Sequence, residues 1–309
     1  MKILITGANG YIGLAVATRM QIAGHDVRGL VRARSAADGL RARGLTPVLG
    51  DLDDSAMLAA AAKDADIVMD TASADHANST RVFLEALEGT GKTYIRTSGT
   101  GVYTDLAQGS RNETVYTETT SHRPADVVAT RYATDQAVVE AAGRGIRTVV
   151  LRPSMIFGEG ASEQIPLLIR TAISTGRSLY VGAGDNIWGN VFIADLAEAY
   201  LLAAQHAEAG SVYNLASGEC GMRDIAAAVA TLVGLPTAES CPPEVAYAAF
   251  GQRWVDVALS SNSRVDSSLA RKELGWAPCG PSLLDEIVQG SYRRVWAAKG
   301  DPHDHVTTN

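Results

Sequence analysis

Cysteine is scarce in this sequence. Cys220, Cys241 and Cys279 are odd in number and far apart, which fits neither a disulfide framework nor a metal site. The six histidines are scattered, with no His-x-x-x-His pair, and His303 and His305 fall in a polar tail. No metal is therefore expected. No apolar run approaches the roughly 18 residues of a membrane span. No basic cluster stands out and the net charge is -7, so nucleic acid is not an expected partner. The opening residues read as a strand, without a signal-peptide layout, and the expectation is a cytoplasmic protein acting on a small molecule, as monomer or homodimer. What is present is an ordinary globular mix, 46% hydrophobic and 20% charged over 309 residues, enough for one large domain or two unequal ones.

The first thirteen residues organise the rest. Lys2–Thr6 is a run of strand formers, a glycine turn follows, and an apolar helical pattern begins at Tyr11. Gly7 permits the turn, Gly10 lets backbone approach a pyrophosphate, and Gly13 lets the helix pack close to the sheet. With Asn9, Tyr11 and Ile12 they open a helix whose free N–H groups and positive dipole end suit phosphates. Three glycines alone are weak evidence. Between a strand and a helix they predict dinucleotide binding.

A second strand at Asp26–Val31 leads into Arg32-Ala-Arg34-Ser35. At that place an acid suits the ribose 2′-hydroxyl of NAD, whereas arginine suits the 2′-phosphate of NADP. Arg32 and Arg34 thus predict NADP, with NADPH preferred over NADH. Further strands at 46–49, 66–70, 94–97 and 147–152 alternate with helices, one capped by Asp53 or Asp54 and another near 76–88. This spacing predicts an α/β fold with a doubly wound parallel sheet of the Rossmann type. Ligands bind such sheets at the carboxyl ends of the strands. Asp51, Leu52, Thr71, Ala72, Ser73 and Ser98 therefore gather around one cleft.

A set of motifs follows in order: Gly-Ala-Asn-Gly-Tyr-Ile-Gly at 7–13, Gly50-Asp51-Leu52, Thr97-Ser98-Gly99-Thr100-Gly101-Val102-Tyr103, Tyr132, Leu151-Arg152-Pro153-Ser154-Met155-Ile156-Phe157-Gly158, Val191-Phe-Ile-Ala-Asp195, Tyr213-Asn-Leu-Ala and Leu274-Gly-Trp276-Ala-Pro278. The set resembles the extended and atypical short-chain dehydrogenase/reductases, the NAD-dependent epimerase/dehydratase group, over nearly the whole chain. The resemblance implies an NAD(P)-dependent oxidoreductase with Pro153 and Ser154 beneath the nicotinamide. It also implies a catalytic Ser or Thr, a Tyr, and a Lys four residues after the Tyr. This sequence departs from it twice. Tyr132 is followed at that distance by Gln136, and the Ser/Thr position falls on Gly99, with Ser98 and Thr100 on either side. A phenol ionises near pH 10 and a neighbouring cation lowers that value. Glutamine can hydrogen-bond a ribose but supplies no such field.

Three readings stay open. The protein reduces a substrate that assists its own proton transfer; or Ser98, Thr100 or Tyr103 replaces the triad; or the chain is a non-catalytic NADP-binding sensor. Atypical members of the class include ketoreductases of aromatic polyketides such as angucyclinones, in antibiotic biosynthesis, and the resemblance makes reduction of a carbonyl on a small organic molecule the leading expectation. A nucleotide-sugar epimerase or dehydratase is the alternative.

Residues 1–158 are expected to form the nucleotide domain, completed by about 188–216. Residues 159–187 and 217–309 would form a small mixed cap, with helices at 164–172 and 222–232 and a turn-rich loop at 182–188. Gln164, Trp188, Asn190 and Phe192 are the expected substrate contacts, and Tyr247, Phe250 and Trp254 are further candidates for the wall. The cap shows no arginine or lysine cluster for a diphosphate, which argues for an uncharged substrate.

Overall fold

The computed structural model describes residues 1–297, so His303 and His305 lie outside the described residues. Seven parallel strands form the main sheet: β1 (Lys2–Thr6), β2 (Asp26–Val31), β3 (Thr46–Leu49), β4 (Ile67–Asp70), β5 (Thr93–Thr97), β6 (Arg147–Pro153) and, far along the chain, β10 (Ser211–Leu215). Their order is β10-β6-β5-β4-β1-β2-β3. The chain runs outward from β1 through β2 to β3, then returns to start again at β4 on the other side of β1. This reversal creates the crevice in which doubly wound sheets bind ligands.

Helices cover both faces, which is why β5 is buried at every position, its polar Thr93, Arg96 and Thr97 included. The helices α1 (Tyr11–Ile22) and α7 (Ile193–His206) pack on one face, with Val16, Met20, Leu196 and Tyr200 in the core. On the other face α3 (Ser55–Asp64) and α4 (Ala77–Leu87) pack together over Leu58, Val68, Phe83 and Tyr94. Asp54 caps α3 by accepting from Met57 N at 3.0 Å. A helix at Arg34–Ala42, α2, connects β2 to β3.

The switch point is pinned by side chains. Thr6 Oγ1 donates to Asp70 Oδ1 at 2.7 Å and accepts from Thr71 N at 3.0 Å. Gly7 takes φ +61°, and a Cβ there would meet Ala72 Cα at 2.8 Å. A Cβ on Gly13 would fall 2.2 Å from the carbonyl oxygen of Gly7. Helix and turn are thus in backbone contact, closer than any side chain allows.

The remaining chain builds a smaller layer. A three-stranded sheet has the order β11-β9-β7, from β7 (Met155–Phe157), β9 (Ile187–Phe192) and β11 (Gly218–Gly221). A two-stranded sheet joins β8 (Ser178–Val181) to β12 (Ala238–Cys241). The helices α6 (Gln164–Thr175) and α8 (Met222–Leu232) pack against them around Ile169, Leu179, Ile225 and Val229. The stretch expected as a loop at 182–188 enters β9 at Ile187, and the return to the main sheet starts with α7 at Ile193. Asp195 on α7 holds the C-terminal segment, accepting from Cys279 N at 3.0 Å and Gly280 N at 2.9 Å, while its carbonyl accepts from Trp276 Nε1 at 2.8 Å.

Gly13→Ala is expected to lower unfolding stability by about 1–3 kcal/mol, as an overpacked site does, because the obstructing atoms are backbone. Urea unfolding of the variant checks it.

Candidate functional site

One cavity of about 910 Å³ runs from the glycine turn, past the carboxyl ends of the strands, to the smaller layer. Its first end is lined by Gly7, Asn9, Gly10, Tyr11, Ile12 and Gly13, with Arg32 at the end of β2. Asp51 and Leu52 after β3, and Thr71, Ala72 and Ser73 after β4, line its middle. Ser98, Thr100, Pro153 and Ser154 lie at the far end, facing Gln164 and Trp188. The glycine cradle, in which a Cβ would strike backbone, is a fit for a dinucleotide. Arg32 is exposed and makes no ion pair among the described residues.

Five residues expected at the site do not line the cavity. Arg34 opens α2 at an exposed position. Asn190 is buried, its amide Nδ2 on Cys220 Sγ at 3.6 Å. Phe192 packs between two apolar cores, its ring 5.6 Å from that of Phe157. Tyr132 and Gln136 sit on α5 (Ala129–Glu140), but Gln136 is exposed and Tyr132 turns toward His122, ring to ring at 4.9 Å. Of the three further aromatic candidates, Trp254 lines the cavity. Phe250 is in the core, and the Tyr247 hydroxyl donates to Asp256.

The face of α5 that meets the site carries Arg131 and Asp135, one residue before Tyr132 and Gln136. Residues four apart share a helix face, and one position along turns about 100° away. Arg131 lines the cavity. Asp135 is fully buried beside it and accepts from three groups: Arg96 Nε on β5, Arg152 Nε on β6 and the Ser98 hydroxyl, each at 2.9 Å. Burial works against charge on both arginines, but Asp135 and the neighbouring tyrosines more than offset it and hold them above the usual guanidinium range. The Ser98 proton is committed to Asp135, which leaves the oxygen's lone pairs for the cavity. Thr100 Oγ1 accepts from Ser263 Oγ at 2.7 Å.

Tyr132 belongs to an aromatic enclosure around Arg152. The guanidinium carbon lies 5.5 Å from the Tyr103 ring and 5.7 Å from the Tyr132 ring, within cation–π reach. Tyr116 stacks on Tyr103 at 4.6 Å. The Tyr103 phenol is pushed up by burial, against the pull of Arg152, and its hydroxyl donates to Asn214 Oδ1 at 3.1 Å.

A second ionic group lies toward the rim of the cavity. Asp75 receives Arg131 through two hydrogen bonds, Nε to Oδ1 at 2.9 Å and Nη2 to Oδ2 at 2.8 Å. Arg253, between α9 (Pro243–Phe250) and the π-helical turn Val255–Leu259, reaches the same Oδ2 at 2.9 Å. Partial burial pushes the Asp75 carboxyl up, but the hydrogen bond and charge of Arg131, then Arg253 and Arg96, bring it below the usual range. Among the described residues no cluster of His, Cys, Asp and Glu is arranged to hold a metal, and no helix is long and apolar enough to cross a membrane.

Residues 3–216 match the model of the NAD dependent epimerase/dehydratase family. An uncharacterized protein of Schizosaccharomyces pombe is 31% identical, covering 94% of this chain and 100% of its own. The 4-hydroxy-2-methyl-3-oxo-4-farnesyl-3,4-dihydroquinoline-1-oxide ketoreductase of Stigmatella aurantiaca is 30% identical, over 71% of this chain and 69% of its own. Among solved structures, the UDP-glucose 4-epimerase of Thermotoga maritima superposes with a TM-score of 0.75 at 20% identity, covering 96% of this chain and 99% of that one; at that identity the likeness speaks for the fold.

Removing one partner from a buried ion pair costs about 3–5 kcal/mol because the other charge stays buried. Asp135→Asn leaves two arginines in that state, and a loss of that size is expected in denaturant unfolding. A loss below about 1 kcal/mol, within the range of exposed pairs, would mean that the triad does not hold the site.

Proposed function

The chain belongs to the NAD dependent epimerase/dehydratase family, as an NAD(P)-dependent oxidoreductase of the extended short-chain type, and from that premise we propose that it reduces a carbonyl group on a small organic molecule with NADPH. The observation that carries this reading is the position of Ser98, with Arg131 and the indoles of Trp188 and Trp254, on the same cavity as the glycine cradle. The relative named as a ketoreductase supports it. Arg32 supports NADPH over NADH, since it lines the cavity where the ribose 2′-phosphate of such folds falls.

Bound NADPH supplies the hydride that reaches the carbonyl carbon. The chain's own residues then manage the charge that builds on the carbonyl oxygen. Arg131 presents guanidinium hydrogens as fixed donors, the kind of preorganised electrostatic aid that is worth most where water is excluded. Arginine stays protonated, so it stabilises the oxyanion without giving up a proton. Ser98, its own proton held by Asp135, accepts a hydrogen bond and orients the substrate. The proton that completes the alcohol comes from an acidic group on the substrate or from water. Trp188 and Trp254 provide flat apolar surface for the substrate's body.

Two outcomes are expected. Tyr132→Phe should lower kcat by less than about tenfold, the low edge of general acid effects; a collapse of kcat with folding and NADPH affinity intact would restore a tyrosine mechanism. Arg32→Ala should weaken NADPH by about 1.5–3 kcal/mol, the size of a charged hydrogen bond, and leave NADH nearly unchanged. Equilibrium titration of both nucleotides reads this directly.

A further inference from the structure

We infer that Arg131 and Arg253 form a subsite for a carboxylate carried by the substrate. This rests on the carbonyl-reduction reading and adds a substrate class to it. The two arginines are distant in sequence, one on α5 and one in the smaller layer, yet both line the cavity. They meet on one anion, Asp75, whose carboxylate takes the forked Arg131 and the end of Arg253. Two cations on one carboxylate leave a surplus of one positive charge. Asp75 is held ionised by this pairing, so the surplus is not removed by a change in its protonation.

The surplus is directed. Arg131 bonds Asp75 through Nε and Nη2, Nη1 makes no hydrogen bond to any other described residue, and the backbone of the Ser98–Gly101 turn lies beside it. A Cβ placed on Gly99 would be 3.8 Å from Nη1, and one on Gly101 would be 3.6 Å away. The missing side chains keep that approach open, next to the hydroxyl that orients the carbonyl. Arg253 Nη1 is occupied by the carbonyl of Val127 at 3.2 Å, so Arg131 supplies the free donor, its Nη1 hydrogens shared between the carbonyl oxygen and the carboxylate, and Arg253 supplies the additional charge. Glu163 also lines the cavity, but it forms no ion pair with either arginine among the described residues. Trp254, adjacent to Arg253 in sequence, and Trp188 place apolar surface next to the cation. A single surplus charge with planar donors matches a carboxylate, which accepts from guanidinium through two oxygens. A diphosphate brings at least twice that charge. The sequence expectation was an uncharged substrate; a carboxylate subsite departs from it because the cation pair is assembled from two segments and is not visible as a cluster in either.

Binding tests the subsite apart from turnover. Protein saturated with NADPH is titrated by calorimetry with 2-naphthoate and with 2-naphthamide, which share a ring system and differ in charge. The acid should bind about tenfold more tightly, the scale of one charge-assisted contact. Arg253→Gln and Arg131→Gln should each bring the ratio toward one, and Asp75→Asn should raise affinity for the acid by freeing its donors. Equal affinities for acid and amide, no binding of the acid at millimolar concentration, or an unchanged preference in both arginine variants overturns the subsite. Retained NADPH affinity confirms that the variants are folded. Oxidation of NADPH by ethyl benzoylacetate, a ketone without a carboxylate, separately tests carbonyl reduction. Turnover of that ester without an acid preference removes the subsite and keeps the reduction, and an acid preference with no ketone turnover does the reverse.

Discussion

A carboxylate with no access to water, held between two arginines, fixes the geometry on which the site depends. Asp135 joins α5 to β5 through Arg96 and to β6 through Arg152. Desolvating three charges is costly, and their attraction repays it only when the remaining donors are also used. Arg96 continues to Thr80 Oγ1 and to the carbonyl of Ala74; Arg152 continues to the Tyr103 hydroxyl, and its Nη2 stays buried without a hydrogen-bond partner, with the rings of Tyr103 and Tyr132 about the guanidinium. The Ala74 contact places Asp75, and with it Arg131 and Arg253. Ser98 is the point where this buried lattice reaches the cavity.

The sheet was legible because its signals are local. Alternating apolar runs, glycine turns and helix caps occur within windows of a few residues, and Lys2–Thr6, Asp26–Val31 and Met222–Leu232 lie where the pattern put them. That residues near the glycine turn and after β3 and β4 line one cavity was legible for the same reason, since strand ends fix their position. The far end of the cavity was not. Motif spacing put Tyr132 and Gln136 toward the cavity, but the face of α5 that lines it carries Arg131 and is set by where Asp135 finds its arginines. The available clue was the charged pair Arg131 and Asp135, four apart in a helix otherwise poor in charge on that side. Arg253 and Asp75 had no local clue at all. Only the folded chain brings them together. Asn190 and Phe192 share the strand face of Trp188, two and four residues on, but Asn190 is buried against Cys220 and Phe192 packs on Phe157, so along β9 the cavity ends at Trp188 and core begins.

The aromatic enclosure gives Tyr132 a packing role against Arg152. Arg152 uses Nε for Asp135 and Nη1 for Tyr103, and the ring faces around it provide a weakly polar surround in place of water. A tyrosine kept for packing and a tyrosine kept for proton transfer look the same in a motif. They differ in which side of the helix they share with the substrate.

The outer position of β10 bears on how the protein is made. β6 is covered on both faces and pairs with β5 on one side and with β10 on the other, Val149 against Ser211 and Leu151 against Tyr213. On a ribosome β6 is complete some sixty residues before its second neighbour exists. Throughout that interval the edge of an apolar strand is bare, the condition that invites pairing with another chain. Until the segment that forms β10 emerges, the β6 edge stays open to pairing with another chain.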